Sequence, residues 1–199
     1  MKVVTRLVLA VSFLLVSTAS SSAIISLTPT TQGAHTGDLI SATVMISGLG
    51  QGTDFTLAGF NLDVGFDSSA LSFVGYNLFG GLGENISTDP DDWLSDATDL
   101  SGGYDGAGSV NLYEISWLLD DALEAMQDAS FALAEVFFTL DSTSGTTDLS
   151  LSVNELVAAS GDGAAIPFTV QGASVTVPAP STIMLMGLAL VTLLVRRKV

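Results

Sequence analysis

The positive charges are confined to the two ends of the chain. Lys2 and Arg6 lie at the start, Arg196, Arg197 and Lys198 lie at the finish, and no Lys or Arg occurs from Leu7 to Val195. All 21 Asp and Glu residues fall between Asp38 and Asp162. The interior thus holds 21 carboxylates, no Lys or Arg and the single imidazole His35, a formal charge of −21. Nothing in such a body can neutralise phosphates, which excludes nucleic-acid binding. The chain has no Cys, so a disulfide scaffold, a thiol nucleophile and a Cys-based metal site are excluded too. At 199 residues the length suits one domain.

The basic ends frame apolar segments. Residues 1–23 have the three parts of a signal peptide: the positive Lys2 and Arg6, an apolar stretch Leu7–Val16 broken only by Ser12, and a small polar end Ser17–Ala23. Ser21 and Ala23 are placed for cleavage after Ala23. At the other end Val177-Pro178-Ala179-Pro180 precedes the uncharged run Ser181–Val195 and the cluster Arg196-Arg197-Lys198. As a helix this run spans ~22 Å, short of a ~30 Å hydrocarbon core. Snorkelling arginines and the flanking Ala179 and Pro180 make up part of the difference. The basic cluster stays cytoplasmic, so the segment runs from outside to inside.

Between these ends, residues 24–177 read as one all-β domain. Ile40, Ala42, Val44 and Ile46 alternate with Ser41, Thr43 and Met45, Phe60, Leu62, Val64 and Phe66 with Asn61, Asp63 and Gly65, and Leu149, Leu151 and Val153 with Ser150 and Ser152. Val110–Leu118 reads as a strand with Tyr113, Ile115 and Trp117 on one face, Trp117 being placed in the core. Phe131–Leu140 suits a central strand, and Phe168–Val170 and Ala173–Val177 form a final pair of strands bent at Gln171-Gly172. Asp67-Ser68-Ser69 reads as a turn in which Asp67 bonds its own backbone and lets Ala70 and Leu71 re-enter the core. The single helical candidate is Asp120–Asp128, with Leu119, Leu123 and Met126 as its apolar stripe. Many short strands with little helix point to a β-sandwich.

Two resemblances follow from these residues. Pro178, Pro180, Ser181, Thr182, Gly187, Arg196 and Arg197, with the apolar run between them, resemble the PEP-CTERM sorting tail, with Ala179 where that family carries Glu. The resemblance implies an exosortase-type sorting enzyme as partner and transient residence in the inner membrane of a Gram-negative cell. Delivery to the cell surface, periplasm or exopolysaccharide matrix would follow. Thr36-Gly37-Asp38, Ile46-Ser47-Gly48-Leu49, the block Gly59–Leu71, the run Leu133–Phe138 and the closing Ala173–Val177 resemble a cohesin-type domain. That resemblance implies a jelly-roll sandwich of about nine strands that binds through one sheet face, as cohesins bind dockerins. The expected fold is therefore a cohesin-like jelly-roll β-sandwich between an N-terminal signal-peptide helix and a C-terminal transmembrane helix.

No catalytic residue is expected. His35 reads as a solvated loop residue, and no motif marks one carboxylate pair among the 21 as a glycosidase dyad. Gly80–Gly108 is the most unusual segment, rich in Gly and Asp with Trp93 in its middle. It reads as a solvated acidic loop, with Asp89, Asp91, Asp92 and Asp96 as candidate Ca²⁺ ligands without an EF-hand spacing. No other cofactor is expected.

These observations lead to an exported, non-enzymatic surface or extracellular-matrix protein, sorted through its tail and carrying the sandwich as a binding or structural module. The alternatives are a dedicated carbohydrate- or protein-binding module and, behind it, an envelope hydrolase. A body with unpaired like charges repels itself. Its melting temperature is therefore expected to rise with added NaCl or several millimolar Ca²⁺, through screening and binding. A melting temperature indifferent to both would refute this.

Overall fold

A computed structural model describes residues 22–30, 34–50, 56–92, 94–142, 145–159 and 164–177. Twelve strands and one short helix follow in the order β1 (Ala23–Pro29), β2 (Leu39–Ser47), β3 (Leu57–Phe66), β4 (Leu71–Leu78), β5 (Ile86–Ser87), β6 (Ala97–Asp99), β7 (Gly103–Tyr104), β8 (Ser109–Ser116), α1 (Asp120–Met126), β9 (Ser130–Leu140), β10 (Gly145–Ala158), β11 (Phe168–Gln171) and β12 (Ala173–Val177). They form a five-stranded sheet, β11-β1-β2-β9-β4, and a seven-stranded sheet, β12-β10-β3-β8-β6-β5 with β7 also on β8. The pairs β1–β11 and β5–β6 are parallel; the other ladders are antiparallel.

The core lies between the inner faces, where period-2 alternation predicts it. Ile40, Ala42, Val44 and Ile46 of β2 are buried, and so are Phe60, Leu62, Val64 and Phe66 of β3. Strand β9 is flanked by β2 and β4 and buries Leu133, Ala134, Val136, Phe138 and Leu140. At one end four rings close the sandwich. Phe66 of one sheet meets Phe138 of the other at 4.9 Å between centroids, and Tyr104 caps both Phe66 and Phe73 at 5.6 Å. Gly108, just before β8, has a φ of +107°, and a Cβ on it would stand 2.6 Å from Phe66 O, so the close approach there requires glycine.

The Asp67 turn forms as expected. Asp67 Oδ1 accepts hydrogen bonds from the Ser69 hydroxyl (2.6 Å) and amide (2.9 Å), which hold its carboxyl below the usual carboxylate range. Ala70 and Leu71 re-enter the core behind it. The bend at Gly172 does more than interrupt a strand: β11 lies in one sheet and β12 in the other.

Two expectations are corrected. Trp117 is not in the core. Strand β8 ends at Ser116 and turns Val110, Leu112 and Glu114 inward, leaving Tyr113 and Ile115 on the outer face and Trp117 55% exposed beyond the strand. The apolar stripe of the helix is also reduced to Leu123. Leu119 precedes the helix in extended conformation and is 75% exposed, and Met126 is exposed as well. The signal-peptide helix and the transmembrane segment 181–195 lie outside the described residues, and among the described residues no helix is long and apolar enough to cross a membrane.

Phe138 meets Phe66 across the inter-sheet gap and Phe73 beside it in its own sheet. Phe138→Ala is expected to cost about 3–5 kcal/mol, measured as a lower urea midpoint at unchanged m-value.

Candidate functional site

The outer face of the seven-stranded sheet is formed by the polar half of each alternating strand. Asp63 and Asn111 face each other in the β3–β8 ladder, followed by Asn61 with Tyr113 and Gly59 with Ile115. On the other side of β3, the register of β10 shifts between Val153 and Glu155. This bulge leaves Asn154 as the extra residue and swings its side chain over β3. Asn154 Nδ2 donates to Asp63 Oδ2 (2.8 Å) and Asn61 Oδ1 (3.2 Å). From the opposite side Asn111 Nδ2 donates to Asn61 Oδ1 (2.8 Å) and Asp63 Oδ1 (2.9 Å), while its own Oδ1 accepts from the Gly102 amide (3.0 Å). Two amide groups thus clamp one carboxylate and fix a polar band across three strands.

Beside this band lies a hollow of about 110 Å³, lined in part by Ala58, Gly59, Tyr113, Ile115 and Val157, with Glu155 at its edge. Gly59 makes the hollow: a Cβ there would stand 3.1 Å from Glu114 O and 3.6 Å from Ile115 Cγ1. The face therefore offers an apolar dent next to a rigid polar band, a surface suited to docking a side chain of a partner.

Directly beneath it, on the inner face, Glu114 is fully buried and neither carboxyl oxygen has a hydrogen-bond partner. Burial, reinforced by the charge of Asp99, pushes its carboxyl up to about 8. This residue and the Asn61–Asp63–Asn111–Asn154 band were missed by sequence reasoning. The available signal for Glu114 was its phase: it continues the apolar series Val110, Leu112.

The residues singled out from the sequence fall elsewhere. Ala23 begins β1, buried, with its amide donating to Pro167 O (2.9 Å). Ser21 and the sorting-tail residues Pro178, Ala179, Pro180, Arg196, Arg197 and Lys198 lie outside the described residues. The acidic segment is organised by its own backbone. Asp89 Oδ1 accepts from the Asp91 amide (3.0 Å), Asp92 Oδ1 from the Leu94 amide (3.2 Å) and Asp96 Oδ2 from the Asn85 amide (3.1 Å). Among the described residues no three His, Asp or Glu side chains are grouped so as to hold a metal ion. His35 is exposed, with its amide donating to Asp38 Oδ2 (2.8 Å).

Comparisons with known proteins bear on both parts of the chain. Residues 176–198 match the family model described as the PEP-CTERM protein-sorting motif. No curated protein matches the chain. Among solved structures, the seventh ScaB type I cohesin from Pseudobacteroides cellulosolvens is 13% identical with a TM-score of 0.59, covering 79% of this chain and 93% of that one. A type I cohesin–dockerin complex from Clostridium thermocellum contains a chain 11% identical with a TM-score of 0.59, covering 78% and 99%. A non-cellulosomal cohesin from the hyperthermophilic archaeon Archaeoglobus fulgidus is 13% identical with a TM-score of 0.54, covering 82% and 96%. The body thus has the cohesin fold, and a PEP-CTERM motif follows it.

Asn111→Ala would strip donors from Asn61 and Asp63 and an acceptor from Gly102. A loss of about 1–2 kcal/mol is expected by urea titration, with the β-sheet circular dichroism unchanged.

Proposed function

We propose that this chain is an exported, non-enzymatic surface or matrix protein, delivered through its C-terminal tail and carrying the sandwich as a protein-docking module. The observation that carries this reading is the junction: the last strand among the described residues ends at Val177, and the sorting motif occupies residues 176–198. Cargo and delivery signal abut without a further domain between them. The signal peptide starts export, the apolar run 181–195 holds the precursor in the inner membrane, and an exosortase-type enzyme processes it there. The surface or the exopolysaccharide matrix is the destination.

The docking face in this reading is the outer side of the seven-stranded sheet. Its hollow beside a polar band fits a protein ligand, and a cohesin from Clostridium thermocellum with this fold is known in a complex with dockerin. The face carries no Lys or Arg, so the chemistry it favours is an apolar anchor flanked by basic groups. A carbohydrate ligand is the second reading, and Trp117 favours it. Its indole Nε1 donates to the buried Thr98 hydroxyl (2.7 Å), which orients the ring, while over half of the side chain stays open.

Two measurements test the reading. Cell fractionation with mass spectrometry of the mature C-terminus is expected to find the protein outside the cytoplasm and ending before Arg196. An intact tail in mature protein would remove the sorting step. Ile115→Asp, placed in the hollow, is expected to abolish capture of an envelope protein that the unaltered chain retains, whereas Trp117→Ala leaves it unchanged. Retention of an exopolysaccharide fraction that is lost in Trp117→Ala would favour the second reading.

A further inference from the structure

Among the described residues Glu114 has no counterion within reach. The body has no Lys or Arg, and His35 sits exposed beside Asp38. The groups that face Glu114 are known from the ladders on both sides. Phe60 of β3 stands opposite on one side, and Asp99 of β6 on the other. Asp99 is turned inward too: its Oδ2 accepts from the hydroxyl of Tyr76 of β4, in the other sheet, at 2.9 Å. Burial pushes the Tyr76 phenol upward, so it stays neutral and offers no charge. The helix turns only Leu123 into the interior.

The edge beside Glu114 has the shorter ladder, closed at its ends by bonds from the Leu100 amide to Tyr113 O (2.8 Å) and from the Trp117 amide to Asp96 O (2.8 Å). Strand β6 joins β8 through the three pairs Ala97–Ser116, Thr98–Ile115 and Asp99–Glu114, and β5 joins β6 through two. On its other side β8 is joined to β3 over seven pairs, Gly59–Ile115 to Gly65–Ser109. Water can reach Glu114 at least cost by lifting β5 and β6, not by parting β3 from β8.

We propose that Glu114 is a proton-operated latch: as the neutral acid it lets the β5–β6 edge stay paired along β8, and its ionisation opposite Asp99 opens that edge. Two carboxylates that face each other across a ladder repel when both are charged, and a buried unpaired charge is expelled toward water. The direction with pH follows. Glu114 holds its proton up to about 8 when closed, against 4.5 when exposed. Between these values the closed edge binds a proton that the open one releases. Closure is therefore fully favoured below about pH 4.5, weakens steadily as pH rises and loses the whole of this contribution above about 8.

Hydrogen–deuterium exchange of the full-length chain at pH 6 and pH 9, with labelling times scaled for intrinsic chemistry, reads this directly. Protection in residues 84–100 is expected to fall roughly tenfold or more between the two, while β2 and β9 stay unchanged. Glu114→Gln is expected to remove most of that fall. Asp99→Asn, a second variant in case the glutamine does not fold, is expected to reduce it, because one of the two repelling charges is gone. Protection independent of pH in the unaltered chain would overturn the proposal, and so would equal opening in Glu114→Gln. Full closure at pH 9 on adding millimolar Ca²⁺ would overturn it as well, because Glu114 and Asp99 would then be a cation site.

Discussion

Contact between the inner faces of the two sheets is the interaction on which the rest of this molecule depends. The body has 21 carboxylates and no Lys or Arg, so no network of ion pairs can contribute to its cohesion. What holds it is the burial of alternate residues from β2, β3, β8 and β9, closed at one end by Phe66, Phe73, Phe138 and Tyr104. Each such Phe or Leu contributes roughly 1.5–3 kcal/mol. Like-charge repulsion among the carboxylates opposes this sum and leaves it sensitive to salt.

The same constraint shapes the polar parts. Without cations, carboxylates are satisfied by amides and hydroxyls. Asp67 bonds Ser69, Asp105 bonds the amides of Ala107 and Ser109, and Asp63 is clamped by Asn111 and Asn154. These bonds give the loops fixed shapes and the outer face of the seven-stranded sheet a polar band fixed across three strands. Glu114 is the exception, a buried carboxyl with nothing to bond, and it sits where β8 is joined to β6 over three ladder pairs against seven to β3. The strands β5 and β6 thus join two roles: they are the edge of the sheet and the ladder neighbours of Glu114, the one buried acid among the described residues.

Much of the architecture was legible because a sandwich strand states its own faces. Phe60 to Phe66 alternates without interruption and is buried as read. Asp67-Ser68-Ser69 is a turn with local chemistry, which needs no distant partner. Strand β8 was harder. Val110, Leu112 and Glu114 share one phase, Tyr113, Ile115 and Trp117 the other, and the aromatic set looked more apolar than the set that is buried. Leu119 misled for a similar reason: its spacing fits a helical stripe, but it lies just before the helix, in extended backbone.

The sequence by itself determined the division of this chain into apolar, basic-flanked ends and an anionic all-β body, because charge order and hydrophobic period are local properties that no packing can rewrite. It also determined which residues of β2 and β3 turn inward. Only the tertiary structure decided the rest: that β11 and β12 part into different sheets at Gly172, that a bulge brings Asn154 over Asp63, and that Glu114 and Asp99 face each other inside the sandwich. These depend on register between strands far apart in the chain, and a register shift of one residue would send every one of these side chains to the opposite face.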